Sequence, residues 1–304
     1  MRVIRSDDML FLAGGSNDVM RLYDAAGFAS AVSVSDWANR IAAREALFAR
    51  LGIPWCQLLV PEKLSVLGDE IVAARCVDPV SPATRLAAAL QTPKLINPTA
   101  YFRSQTALGY ALYPRTDSHW TCLGALSALQ WAASAMGVEI DFATFHAVAD
   151  RPLVYHGDLW TSDYADIAPD RFDRREVPSS IVRIHANTIV RLKERERRQN
   201  EVGLHVGSAV AYRNSAAQID ERLLLFGSSF SDHRIECSLL TFVAALFFRE
   251  IHFVWSANLD LPLIERLQPD RVLIEMPERF LTACPPDDFD LGRYEADTSA
   301  GFCR

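Results

Sequence analysis

Two short stretches hold the residue types that acyl transfer through a serine requires. "RTDSHW", residues 115–120, sets Asp117 and His119 two positions apart, and "LLLFGSSFS", residues 223–231, sets Ser229 in a Gly-Ser turn behind an apolar run. A serine hydroxyl is a weak nucleophile until a base takes its proton. An imidazole serves as that base when a carboxylate fixes its tautomer and stabilises its charged form. An aspartate two residues before a histidine can fold back onto one ring nitrogen and leave the other to face a serine. A plainer reading is equally open: Asp117 caps the next helix, His119 packs beside Trp120, and the Gly-Ser turn is only an N-cap. The chain order Asp, His, Ser decides nothing, because such constellations are recognised by geometry.

The other histidines, His146, His156, His185, His205, His233 and His252, show no zinc-like spacing. His233 is a rival base, since four residues along a helix would bring it to the face of Ser229, with only the adjacent Asp232 as its carboxylate. Cys56, Cys76, Cys122, Cys237, Cys284 and Cys303 form no C-x-x-C pair. They read as core residues or surface thiols, and their even number does not establish disulfides. No metal and no tightly bound cofactor is expected.

The elements that must position these residues follow α/β grammar. Residues 35–51 put Trp37, Ile41, Phe48 and Leu51 on one helical face, with Ser35 or Asp36 as cap and Gly52 as stop. "WCQLLVP", flanked by Pro54 and Pro61, has the length of a buried strand. "TCLGALSALQWAASAMG", directly after the D-S-H stretch, places Cys122, Leu126, Leu129, Ala133 and Met136 on one stripe ending at Gly137. In the C-terminal third, "RLLLF", "IHFVW" and "RVLIEM" predict a parallel β-α-β-α-β layer. The first of these strands runs into the Gly-Ser turn and a long apolar helix. Ser229 is therefore expected at a strand's carboxyl end beside a helix N-terminus, where open α/β sheets bind ligands and amides stabilise negative charge. Gly227 would let the chain turn tightly there.

With 304 residues, half of them hydrophobic, the chain can bury a large core, and without repeats or a Pro/Gly-rich linker one domain is the simplest organisation. The acidic segment 285–304 reads as a partly flexible tail. A net charge of -7 argues against a nucleic-acid binder. The one basic stretch, residues 191–200, is interleaved with Glu194 and Glu196 and reads as a solvated face or mobile loop. No apolar run reaches the roughly 18 residues of a membrane span. No secretion signal is visible, so the chain as written is expected in the cytoplasm, or in the periplasm if it is a trimmed form.

Taken in order, six segments resemble the alginate O-acetyltransferase J/X family, whose catalytic domains look like circularly permuted SGNH hydrolases. "MLFLAGGSND" is similar to the family's opening strand and turn, and "WANRIAAREALFARLGIPWCQLLVPEKLSV" to its helix, strand and V-P-x-K corner. "YPRTDSHWTCLGA" resembles its Y-x-x-T-D-x-H-W-x-x-x-G block, and "HGDLW" a G-D-L segment. "LLLFGSSFSD" resembles the G-D-S-F-S nucleophile turn, and "PDRVLIEMPERFL" the closing strand with its E-R pair. The match runs from about residue 9 to about residue 282.

The resemblance implies a three-layer α/β/α SGNH hydrolase-like domain with a mostly parallel central sheet, permuted so that the D-x-H block precedes the nucleophile. It also implies Ser229 as nucleophile, His119 as base and then acid, and Asp117 as the residue orienting the histidine. Ser228 stands where the signature has aspartate, and the family's exported members carry a leader or anchor that is not visible here. Around the triad, the Ser229 amide and its neighbours are candidate oxyanion donors. Asn258 and Arg279 are expected to line the pocket, unless Asn258 caps a helix beginning near Leu259 and Arg279 pairs with Glu275 or Glu278. Tyr113 and Trp120 offer either sugar-stacking faces or core packing. The expected activity is carbohydrate O-acetyl transfer from an acetyl donor to a carbohydrate acceptor, with polysaccharide-biosynthesis proteins as partners. An esterase using the same intermediate and a non-catalytic glycan-binding subunit are the competing readings.

Overall fold

The computed structural model describes residues 2–15, 17–198 and 201–302. Among them the strands are β1 (Arg2–Ser6), β2 (Met9–Gly14), β3 (Trp55–Val60), β4 (Leu95–Ile96), β5 (Asp150–Tyr155) and β6 (Asp170–Arg175). They continue as β7 (Ile181–Ala186), β8 (Ala209–Asn214), β9 (Ile219–Gly227), β10 (Phe248–Trp255) and β11 (Arg271–Pro277). Seven of these form the central sheet in the order β4-β3-β11-β9-β10-β8-β7. The run from β4 to β10 is parallel, and β8 is antiparallel to both of its neighbours. The hairpins β1-β2 and β5-β6 stand apart from it.

Side-chain alternation along the strands divides the core between the two faces of the sheet. Cys56, Leu58, Val60, Leu223, Leu225, Phe253 and Leu273 pack with the helices Cys122–Ala135 and Leu240–Phe247. Their neighbours Trp55, Leu59, Leu224, Phe226, Val254, Val272 and Ile274 pack on the opposite face against the helices Val34–Leu51, Pro82–Leu90 and Leu261–Leu267. The result is the expected three-layer α/β/α arrangement around a mostly parallel sheet.

The helix expected over 35–51 spans Val34–Leu51; its cap is Ser33, whose side chain accepts from the Asp36 amide, and its stop is Gly52 at φ 68°. The parallel layer of β9, β10 and β11 is also present. The helix between β9 and β10, however, does not follow the Gly-Ser turn directly and begins only at Leu240. The Ser231 and Asp232 amides both return to the Ser228 carbonyl at 3.0 Å, and Asp232 adopts φ 52°, which interrupts any helical run from Ser229.

Two other stretches are more ordered than their composition suggests. In the acidic C-terminal segment, Leu291–Phe302 is helical, and Glu295 accepts the Thr188 amide at the start of the helix Thr188–Arg195. That second helix takes in the first half of the basic stretch, with Leu192 and Lys193 buried; residues 199–200 lie outside the described residues. The described cysteines are free thiols, and Cys303 lies outside the described residues. No described helix is long and apolar enough to cross a membrane.

Candidate active site

The carboxyl ends of β3, β11, β9 and β10 meet at one edge, where Pro277 pairs with Val60 and Trp255 with Gly227. Ser229 lies two residues beyond β9, partly exposed between buried Ser228 and Phe230. The turn is anchored from the neighbouring strand. Glu275 of β11 is fully buried and accepts from the Ser228 amide, the Ser228 hydroxyl and the Ser231 hydroxyl, each at 2.8 Å. Burial raises the Glu275 pKa, against the lowering effect of these donors. Gly227 is required here for space, since a Cβ would meet Ser231 Oγ at 2.6 Å and Glu275 Oε2 at 2.8 Å.

The D-S-H stretch lies in an irregular segment that other elements hold in place. Asp170 of β6 accepts the amides of Arg115 and Thr116 at 2.8 and 2.9 Å. Lys63, in the corner after β3, donates from its buried Nζ to the carbonyls of Arg115 and Asp117 at 2.8 and 3.1 Å. Burial pushes the Lys63 pKa down to about 7. The next helix is capped by Thr121, whose side chain accepts the Gly124 amide, so Asp117 does not cap it.

Asp117 instead turns back on His119. Its Oδ1 accepts from the His119 amide at 2.8 Å and lies 2.9 Å from the ring Nδ1. With Nδ1–H donating to the carboxylate, the other ring nitrogen is an acceptor, and His119 Nε2 sits 2.9 Å from Ser229 Oγ. Burial would raise the Asp117 pKa, but the hydrogen bond and charge of His119 hold it down to about 2. Burial would lower the His119 pKa, yet it is raised because Asp117, and then Asp158, outweigh that cost. A hydroxyl, an imidazole and a carboxylate joined in this order can make an alkoxide-like nucleophile and hold the proton it gives up. One nitrogen of His119 and one carboxylate oxygen each of Asp117 and Asp158 lie within 4.8 Å of one another, and the hydrogen bond between His119 Nδ1 and Asp117 Oδ1 already joins two of them.

The remaining sequence candidates separate clearly. The Ser229 amide donates to no protein acceptor among the described residues and is free to meet an oxyanion. Arg279 is buried and pairs with Glu62 at 3.0 Å, rather than with Glu275 or Glu278. Its guanidinium lies 5.4 Å from the Phe230 ring, which itself packs 4.7 Å from the His119 ring, and it borders a cavity of about 280 Å³ with Leu12, Asn17 and Asp18. Asn258 neither caps the following helix, which Asp260 does, nor has a free amide: its side chain exchanges hydrogen bonds with Asp288. Tyr113 and Trp120 are core residues packed around Phe102, with the Tyr113 hydroxyl on the Pro61 carbonyl and the Trp120 indole on the Ser238 carbonyl. At 3% and 1% exposure they present no stacking face to a sugar. His233 is held by Asp232 at 2.5 Å and faces Lys193 in the interior, because the turn that follows Ser229 is not a helix.

Glu275 and Glu278, named from the sequence only as partners for Arg279, hold backbone amides instead, and Glu62, which the sequence did not single out, takes Arg279. Glu278 is fully buried, accepts the amides of Glu62 and Ala83 at 2.7 and 2.9 Å, and is raised by burial to about 7. Together with the Glu62–Arg279 pair it ties the corner after β3 to the end of β11. A glutamate in the middle of the apolar run "RVLIEM" was the readable signal for Glu275, since a buried carboxylate demands partners.

No family model matches the sequence, and no curated protein matches it. Solved structures do match in fold. The O-acetyltransferase domain of Pseudomonas putida AlgJ is 17% identical with a TM-score of 0.54, over 98% of this chain and 99% of that one. Bacillus cereus PatB1 is 13% identical with a TM-score of 0.60, over 93% and 97%. A DHHW family protein from Eubacterium siraeum is 16% identical with a TM-score of 0.59, over 92% and 91%. Across nearly its whole length, this chain is similar in fold to these three proteins.

Proposed function

We propose that this protein is a carbohydrate O-acetyltransferase working through an acetyl-Ser229 intermediate. The observation that carries the proposal is the placement of His119 between Ser229 Oγ and Asp117 Oδ1, at 2.9 Å from each. Fold likeness to the AlgJ O-acetyltransferase domain supports the choice of acetyl transfer. Ser229 Oγ attacks the carbonyl carbon of the acetyl donor while its proton passes to His119 Nε2. The developing oxyanion is met by the Ser229 amide, an interaction type that lowers barriers by a few kcal/mol, about 3 for one donor. Collapse expels the donor's leaving group, which takes the proton from His119. In the second half a carbohydrate hydroxyl gives its proton to His119 and attacks the acetyl carbon, and the proton returns to Ser229 Oγ. Asp117 keeps the imidazole in the required tautomer throughout and stabilises its cationic form.

The test is turnover of p-nitrophenyl acetate with and without neutral and acidic oligosaccharides, followed by mass spectrometry of the sugar. Acetylated oligosaccharide from the wild type, and none from Ser229→Ala, is the expected result. Triad-dependent release of acetate with no acetylated sugar would make the protein an esterase. Glycan binding by wild type and Ser229→Ala alike, with no acetyl turnover, would make it a binding subunit.

A further inference from the structure

A second carboxylate stands beside the histidine. Asp158 lies in the "HGDLW" segment between β5 and β6; its Oδ1 accepts the Ser118 amide and its Oδ2 the Ser118 hydroxyl, each at 2.7 Å. The same Oδ2 is 3.7 Å from His119 Nδ1, and the Ser118 hydroxyl is 3.4 Å from that nitrogen. The segment is fastened against the D-S-H turn at three more points. The Gly157 amide donates to Thr116 Oγ1 at 2.8 Å, the Leu159 amide donates to the Thr116 carbonyl at 3.0 Å, and a Cβ at Gly157 would fall 2.4 to 2.5 Å from Asp117 atoms. A loop that only closed the β5-β6 hairpin would need none of these contacts with residues 116–118.

The geometry points to Asp158 as a positioning residue for His119, holding the D-S-H turn through Ser118 and adding a second negative charge to the Nδ1 side of the imidazole. This rests on the reading of His119 as the base. The charged groups facing the ring are Asp117 from its own segment, Asp158 from the hairpin loop, Glu62 from the corner after β3 and Arg279 from the turn after β11. Neighbouring Lys63 points to the carbonyls of the segment. Asp158 is the most exposed of the carboxylates, at 42%, and so its charge is the one most open to solvent. The proposal therefore assigns Asp158 control over the pH range in which His119 accepts a proton, and gives Asp117 the tautomer.

Asp158→Asn keeps an acceptor for Ser118 and removes the charge. Its His119 ring, followed by NMR of histidine-labelled protein and assigned by its loss in His119→Gln, should titrate about 0.5 to 1 pH unit below wild type. The sign follows from linkage: a nearby anion stabilises the imidazolium, so its removal lets the neutral base persist to lower pH. The acid limb of kcat/KM for p-nitrophenyl acetate should move down by the same amount. Ser118→Ala, which removes the hydroxyl tether and keeps the charge, should leave both midpoints in place, and Asp158→Glu should restore the wild-type limb. An unmoved His119 midpoint in Asp158→Asn, or an equal shift in Ser118→Ala, overturns the proposal. The NMR titration does not depend on turnover, so it stands or falls apart from the activity of Ser229→Ala, which tests the function.

Discussion

Ser228 shows how one residue's identity is set by another far away in the chain. In the resembled signature an aspartate precedes the nucleophile; here Glu275 brings a carboxylate to that spot from β11, and Ser228 binds it with both its amide and its hydroxyl. An aspartate at 228 would set two carboxylates against each other in a fully buried place, where unpaired charge is costly. Ser228→Asp is expected to lower stability by about 3 kcal/mol in chemical denaturation. The double variant Ser228→Asp, Glu275→Gln should recover most of that loss. If Ser228→Asp alone is as stable as wild type, Glu275 is not the anchor of the turn. Asp117 and His119 were legible at this scale because their bond spans two residues. Glu275, Lys63 and Asp158 were not, because their partners lie on other elements.

At the scale of elements, the site depends on segments without regular structure that ordered segments clamp. The loop carrying Gly157 fits only because Gly157 has no Cβ, with Asp117 Cα at 2.5 Å from where one would stand. Gly157→Ala must push this loop off the D-S-H turn. The expected cost is about 1 to 3 kcal/mol of stability and roughly tenfold to a hundredfold in kcat/KM for p-nitrophenyl acetate. Wild-type melting and kinetics in Gly157→Ala would mean that the two loops do not constrain each other. The helix Val34–Leu51 and strand β3 could be read from periodicity and flanking breakers. The segment after Ser229 could not. Its apolar residues suggest a continuous helix, while the left-handed Asp232 and the bonds back to Ser228 make a turn that only tertiary packing selects. Trp120 and Tyr113 are core residues for a related reason: aromatic residues beside a polar turn are as well suited to walling it from the core as to meeting a ligand.

For the whole molecule, the parallel order β3-β11-β9-β10 decides the geometry, since it delivers Ser229, the corner at Glu62 and Lys63, and Arg279 to a single sheet edge. Class and layer arrangement were legible in the alternation of helix-length and strand-length apolar segments. Strand order was not, because β3 and β11 lie far apart in the chain and nothing local in either names its partner. That pairing is what brings the carboxylate network of Glu62, Glu275 and Glu278 beneath a serine and histidine 110 residues apart. An acyl-serine at this edge is detected by quenching the wild-type protein during p-nitrophenyl acetate turnover and locating the acetyl group by peptide mass spectrometry. Acetyl on Ser229 in wild type, and its absence in His119→Ala, is the expected result. Acetyl on another residue, or equal turnover by wild type and Ser229→Ala, would contradict it.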